Sequence, residues 1–168
     1  MKYFSLITSA LLLSFNTHAA DVGSKAPDFT LDGIKNVAAG EKIHLASYLG
    51  KVVYVDFWAS WCGPCQRSFP SLEAIRAKYK DKGFEVIAVN LDENAKDAFG
   101  FLAKFPVNFP IAQDTSGKTG ELYNLKGMPS AYIIDRKGIV RHVVTGFDEK
   151  TEVAKIESIL PGLLSSKP

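Results

Sequence analysis

From residue 52 to residue 58 the chain reads Val-Val-Tyr-Val-Asp-Phe-Trp, apolar at odd and even positions alike, with the single acid Asp56 in its middle. A strand exposed on one face alternates, so an unbroken apolar run predicts a strand covered on both faces and flanked by helices. A second such run spans 84–91. Between 64 and 80, Phe69, Leu72, Ile75 and Tyr79 recur at helical spacing with Arg67, Glu73, Arg76 and Lys78 among the polar positions. That spacing predicts an amphipathic helix, interrupted at Pro70, which has no amide for the helix ladder. The pattern further predicts a helix over 95–105, a short strand over 109–113 and a helix over 117–125. A hairpin follows over 131–144, turning at Arg136-Lys137-Gly138, and a terminal helix over 149–160 carries the stripe Val153, Ile156, Ile159 and Leu160. Upstream, 26–31 reads as extended, and the turn-prone stretch around Gly33 and Gly40 as short strands or loop. Alternating strands and helices predict a mainly parallel arrangement in the middle of the sheet.

At 168 residues the chain suits one domain, and its 46% hydrophobic and 23% charged residues exclude a disordered tail protein, a collagen-like repeat and a polytopic membrane protein. A net charge of only +2 lacks the basic excess that binding to nucleic acid requires. The first residues change the picture more. Met1-Lys2 precedes an apolar run from Tyr3 to Phe15 and then Asn16-Thr17-His18-Ala19-Ala20-Asp21, the order of a secretory signal peptide. Thr17 and Ala19 fit the small positions of a cleavage site, which places the signal over 1–19 and the domain over 20–168, with a cut after Ala20 as the next choice. The alternative, an uncleaved anchor, has an apolar stretch shorter than the roughly 20 residues needed to cross a bilayer. No cysteine follows to take a lipid, so the expectation is a cleaved, exported protein of the periplasm.

Exported proteins use cysteines in pairs as staples, but this chain has only Cys62 and Cys65. A bridge across so short a loop removes little entropy from the unfolded chain, so chemistry is the better reason for the pair. Cys62 lies where a buried strand gives way to a helix. Free backbone amides and the helix dipole there favour negative charge, so Cys62 should ionise below the pKa of about 8.5 of a free thiol and act as nucleophile. Cys65, one turn inside, is placed to attack a mixed disulfide on Cys62 and resolve it. A zinc site would need further ligands. After signal removal only His44 and His142 remain, with no second close-set pair, so we expect neither metal nor cofactor.

The stretch Val55-Asp-Phe-Trp-Ala-Ser-Trp-Cys-Gly-Pro-Cys65 resembles the active site of thioredoxin-fold proteins. With Ala26-Pro-Asp-Phe29, the segment 84–119 and Gly127-Met-Pro129, the chain resembles exported thiol-disulfide oxidoreductases of the TlpA/ResA kind over nearly all of its mature length. The resemblance implies an α/β thioredoxin-like fold: a central mixed sheet flanked by helices, with an extra strand and helix inserted before a cis-proline. It implies that Asp56 is the buried proton acceptor for the resolving thiol, a role that suits an acid in an apolar strand, where burial raises its pKa. It implies a cis Met128-Pro129 bond facing the pair, with Met128 pairing to extended substrate, and a tuning role for Glu93 in the acidic pair Asp92-Glu93 that ends the second strand. Ala88 stands where plain thioredoxin carries a lysine near the buried acid. Trp61, Gly63 and Pro64 complete the docking surface, Trp58 packs beneath it, and Pro70 has a structural role.

The leading reading is therefore a monomeric reductase of disulfides in exported proteins, such as apocytochrome c or metal-site assembly proteins, recharged by a membrane thiol donor. A disulfide-forming oxidase, a thiol peroxidase and a non-catalytic binding or chaperone module are the alternatives. The Gly63-Pro64 spacer fits exchange better than peroxide reduction.

Overall fold

The computed structural model describes residues 20–167. The predicted signal over 1–19 lies outside them. Seven strands form one sheet in the order β2-β1-β5-β4-β3-β6-β7. The strands are β1 (Thr30–Lys35), β2 (Lys42–His44), β3 (Val52–Trp58), β4 (Phe84–Asn90), β5 (Ile111–Gln113), β6 (Ser130–Ile134) and β7 (Val140–Thr145). Four helices accompany them: α1 (Gly63–Tyr79), α2 (Ala95–Lys104), α3 (Lys118–Leu122) and α4 (Glu149–Ser165). The β3-β4-β5 centre is parallel, while β6 runs antiparallel to β3 and β1 antiparallel to β5, which makes the sheet mixed. The inserted α2 and β5 precede the cis Met128-Pro129 bond, and β5 joins the β1-β2 hairpin to β4.

Strand β3 is the spine. None of its seven residues is more than 2% exposed. Successive side chains of a strand point to opposite faces, and β3 divides accordingly. Val52, Tyr54 and Trp58 join Phe69 and Leu72 of α1, Phe101 of α2 and Ile156 and Leu160 of α4 in one apolar cluster. Val53, Val55 and Phe57 face the other way, toward Tyr123, Phe29 and Ile43. The apolar run without alternation has therefore become a strand with a core on each side.

Two expectations need revision. Helix α1 is not interrupted at Pro70 but runs unbroken from Gly63 to Tyr79. Proline removes one ladder hydrogen bond, and the buried residues on either side of it, Cys65 and Phe69 before, Leu72 and Ile75 after, hold both halves to the same core. Helix α4 continues past Leu160 through Pro161 and Gly162 to Ser165. There Leu163 and Leu164 pack against the core, and the Arg136 guanidinium donates to the Leu164 carbonyl at 2.8 Å. The Gly33 stretch forms short strands, as its reading allowed, and only glycine fits at 33, because a Cβ there would stand 2.5 Å from Val37 Cγ2 and 2.8 Å from the Glu41 carbonyl.

Phe69 binds α1 to the sheet through ring contacts with Trp58 and Phe101, both at 4.9 Å between centroids, and Phe109 at 5.4 Å. Truncating a buried ring leaves a cavity as well as lost transfer energy, so Phe69→Ala should cost about 3–5 kcal/mol with an unchanged denaturant slope. Urea unfolding measures this, and a loss below about 1 kcal/mol would show that the cluster is not what fixes α1.

Candidate active site

Strand β3 ends at Trp58, and the chain turns sharply into α1. The Cys62 amide donates to the Ala59 carbonyl at 3.0 Å, closing the turn. Cys62 is the residue that caps α1, its Sγ accepting from the Cys65 amide at 3.3 Å, and Gly63 and Pro64 open the helix. Proline suits that position because a first-turn amide has no helical partner to lose. Cys62 and Cys65 are joined as a disulfide. Cys65 is fully buried and Cys62 is 3% exposed, so the pair meets solvent only through a narrow edge of Cys62. Around that edge the surface is open: Trp61 is 70% exposed, and a Cβ placed on Gly63 would touch nothing within 4 Å. Met128, half-buried, packs against the cluster that contains both cysteines, and Pro129 follows it through the cis bond at the start of β6.

Asp56 is 1% exposed. It lies opposite Ala88 of β4 and Ala131 of β6, and its alternation places it on the face of β3 that carries Tyr54 and Trp58, the side of α1 and the cysteines. Its Oδ2 has no hydrogen-bond partner. Burial without a compensating cation pushes its pKa well above the usual carboxylate range. Tyr54 is buried beside it, and its phenol is pushed up by burial and then by the carboxyls of Asp56 and Glu152.

The two acids after β4 separate sharply. Glu93 is exposed, in the loop leading to α2, and makes no hydrogen bond or ion pair among the described residues. Asp92 is buried, and sequence reasoning gave it too little weight. Its carboxylate accepts from the Ser60 amide at 3.0 and 3.1 Å, from Ser60 Oγ at 3.0 Å and from Asn90 Nδ2 at 2.9 Å. The signal was present: an acid two residues beyond Asn90, the last residue of a largely buried strand, lies at the carboxyl end of a parallel strand where the chain returns past the turn.

The redoxin family model matches residues 21–160. The thiol-disulfide oxidoreductase ResA of Geobacillus kaustophilus is 36% identical over 144 residues, which cover 85% of this chain and 80% of that protein. ResA of Bacillus subtilis is 35% identical over 124 residues, covering 74% and 67%. The chain belongs to the ResA family of thioredoxin-like thiol-disulfide oxidoreductases. Its fold agrees: a Chlorobium tepidum structure titled as a thiol:disulfide interchange protein DsbE superposes with a TM-score of 0.81 at 46% identity, covering 88% of this chain and all of that one.

For a ResA-family protein the arrangement provides each part of dithiol chemistry. One sulfur stands at a helix start near the surface, a second is sealed beneath it, and an acid that holds its proton unusually well lies on the same side of the sheet.

Asp56 also links stability to pH. Its folded pKa is raised above the unfolded value of about 3.9, so the folded chain binds the extra proton between those two points. Stability from this group is complete below about pH 4 and is lost as pH rises through the folded pKa. Asp56→Asn removes that cost. The variant should match the wild type near pH 3.5 and become progressively more stable than it above pH 4, measured by urea unfolding of the disulfide form across pH. Parallel stability curves would show that Asp56 carries no such penalty.

Proposed function

We propose that this protein reduces disulfide bonds in exported proteins, working in the cell envelope after cleavage of a signal over 1–19. The Cys62 thiolate attacks one sulfur of a substrate disulfide, the substrate S–S bond breaks, and the departing sulfur takes a proton. Cys65 then gives its proton to the Asp56 carboxylate and attacks Cys62 Sγ. The mixed disulfide breaks, the second substrate sulfur leaves as a thiolate and takes up a proton as Asp56 gives up the one it received, and the Cys62–Cys65 bond remains. Two electrons pass from the dithiol to the substrate. Trp61, Gly63, Pro64, Met128 and Pro129 form the docking face, and Glu93 at its border tunes the pair. The observation that carries this reading is Asp56, a buried acid with an unpartnered oxygen on the cysteine side of β3. Such a carboxyl is costly unless proton transfer is its purpose.

The direction follows from the spacer and the acid. Thioredoxin, with the same Gly-Pro spacer, lies near −270 mV, whereas the oxidant DsbA lies near −120 mV because its reduced form is stabilised. This protein should lie below about −200 mV. A dithiol that reducing is oxidised by an envelope compartment unless recharged, so the reading includes a membrane thiol carrier that brings electrons from cytoplasmic thioredoxin.

Equilibration with glutathione buffers tests the direction, and a potential near that of DsbA would make the protein an oxidase. The roles of the two sulfurs are separable. Cys62→Ser should abolish exchange, while Cys65→Ser should accumulate mixed disulfides whose partners identify the substrates. If Cys65→Ser traps no partner in cells, or Cys62→Ser retains turnover, the assignment of nucleophile and resolving thiol fails.

A further inference from the structure

The turn that delivers Cys62 is held by a single carboxylate. Asp92 binds Ser60 three times, through both of its oxygens to the amide and through Oδ1 to the hydroxyl. It is itself braced on three sides. Asn90 donates to its Oδ2 at 2.9 Å and accepts from its amide at 3.1 Å, and Gln113 Nε2 donates to its carbonyl at 3.0 Å. Asp92 is 3% exposed, and among the described residues no cation lies within ion-pair distance of it. Every donor on its carboxylate is neutral. The charge is therefore fixed on Ser60 without an ion-pair partner, and Ser60 lies two residues, at most about 7 Å of backbone, before Cys62.

We propose that Asp92 is a positioning residue for Cys62: it sets the Ser60-to-Cys62 turn and holds a negative charge on Ser60, two residues before the nucleophile, which disfavours the thiolate and makes the dithiol more reducing. The helix start pulls the other way, toward the thiolate. A like charge near an ionising thiol opposes that pull, and a less stabilised thiolate means a less stabilised reduced form, hence a lower potential. The remaining charged groups about the turn are Asp56 beneath it in β3, exposed Glu93, and Lys96, Asp97 and Lys104 of α2, of which the last three border the same surface groove as Ser60. Among these acids only Asp92 hydrogen-bonds the turn itself.

The inference rests on Cys62 being the attacking thiol, and its test needs no turnover. The pH midpoint for alkylation of Cys62 is measured in the reduced protein, and the equilibrium with glutathione at a pH above that midpoint. Asp92→Asn keeps an acceptor for Ser60 and removes the charge. It should lower the midpoint by about one pH unit and shift the equilibrium about tenfold toward the dithiol, which is about 30 mV. Ser60→Ala keeps the charge and loses one hydrogen bond, so its midpoint should stay with the wild type. An unchanged or higher midpoint in Asp92→Asn overturns the proposal, and so does a Ser60→Ala shift as large as that of Asp92→Asn. If Asp92→Asn does not fold, Asp92→Ser removes the same charge and is judged by the same outcomes. A wild type that fails to exchange disulfides while the Asp92 shift is present would refute the proposed function and leave this inference intact.

Discussion

Everything in this protein depends on the burial of β3 from both sides. A strand with one wet face can carry a polar residue at every second position without cost, but β3 has no wet face, so each of its residues must be apolar or have a reason to be otherwise. The same burial fixes the register on which the chemistry relies. With β4 parallel on one side and β6 antiparallel on the other, the end of β3 is clamped between Asn90 and Ser130. The chain then leaves the sheet at one defined point, and the cysteines follow within a turn.

Two of the buried acids, Asp56 and Asp92, lie near the cysteines and obey opposite rules. Asp56 lies between alanines with an oxygen that nothing satisfies, so the fold makes its charged form expensive. Asp92 is surrounded by donors from Ser60 and Asn90 and serves as a clamp. A carboxyl with no partner is suited to gain and lose a proton, and one with every site filled is suited to hold a shape. The proposed exchange chemistry uses both, a base for the resolving thiol and a fixed position for the attacking sulfur.

The fold was legible in the sequence wherever burial leaves a period. The two-faced strands, the helix stripe of Phe69, Leu72, Ile75 and Tyr79, and the hairpin turning at Gly138 all came from spacing alone. The chemistry of Cys62 and Cys65 was legible because two cysteines so close together serve no better purpose. Legibility failed where one local rule met a larger tertiary term. Pro70 reads as a break, yet the packing on either side outweighs a single missing hydrogen bond. It failed again at Asp92-Glu93, where residue type cannot tell a solvated acid from a clamped one. The partners that decide it, Ser60 and Gln113, are 32 and 21 residues away in sequence.

The site also separates what binds from what reacts. Trp61 and Gly63 lie open at the surface, while Cys65 and Asp56 are sealed within the core. A substrate on the proposed docking face could therefore reach Cys62 without displacing the buried groups. The sealed half lies in a low dielectric, where the proposed proton transfer from Cys65 to Asp56 would replace one buried charge by another and create no additional one. No cation lies beside Asp56 among the described residues, so burial alone sets its hold on the proton. With a lysine at position 88 the carboxylate would be stabilised and its hold on the proton weakened, so the alanine there belongs to the same design as the acid.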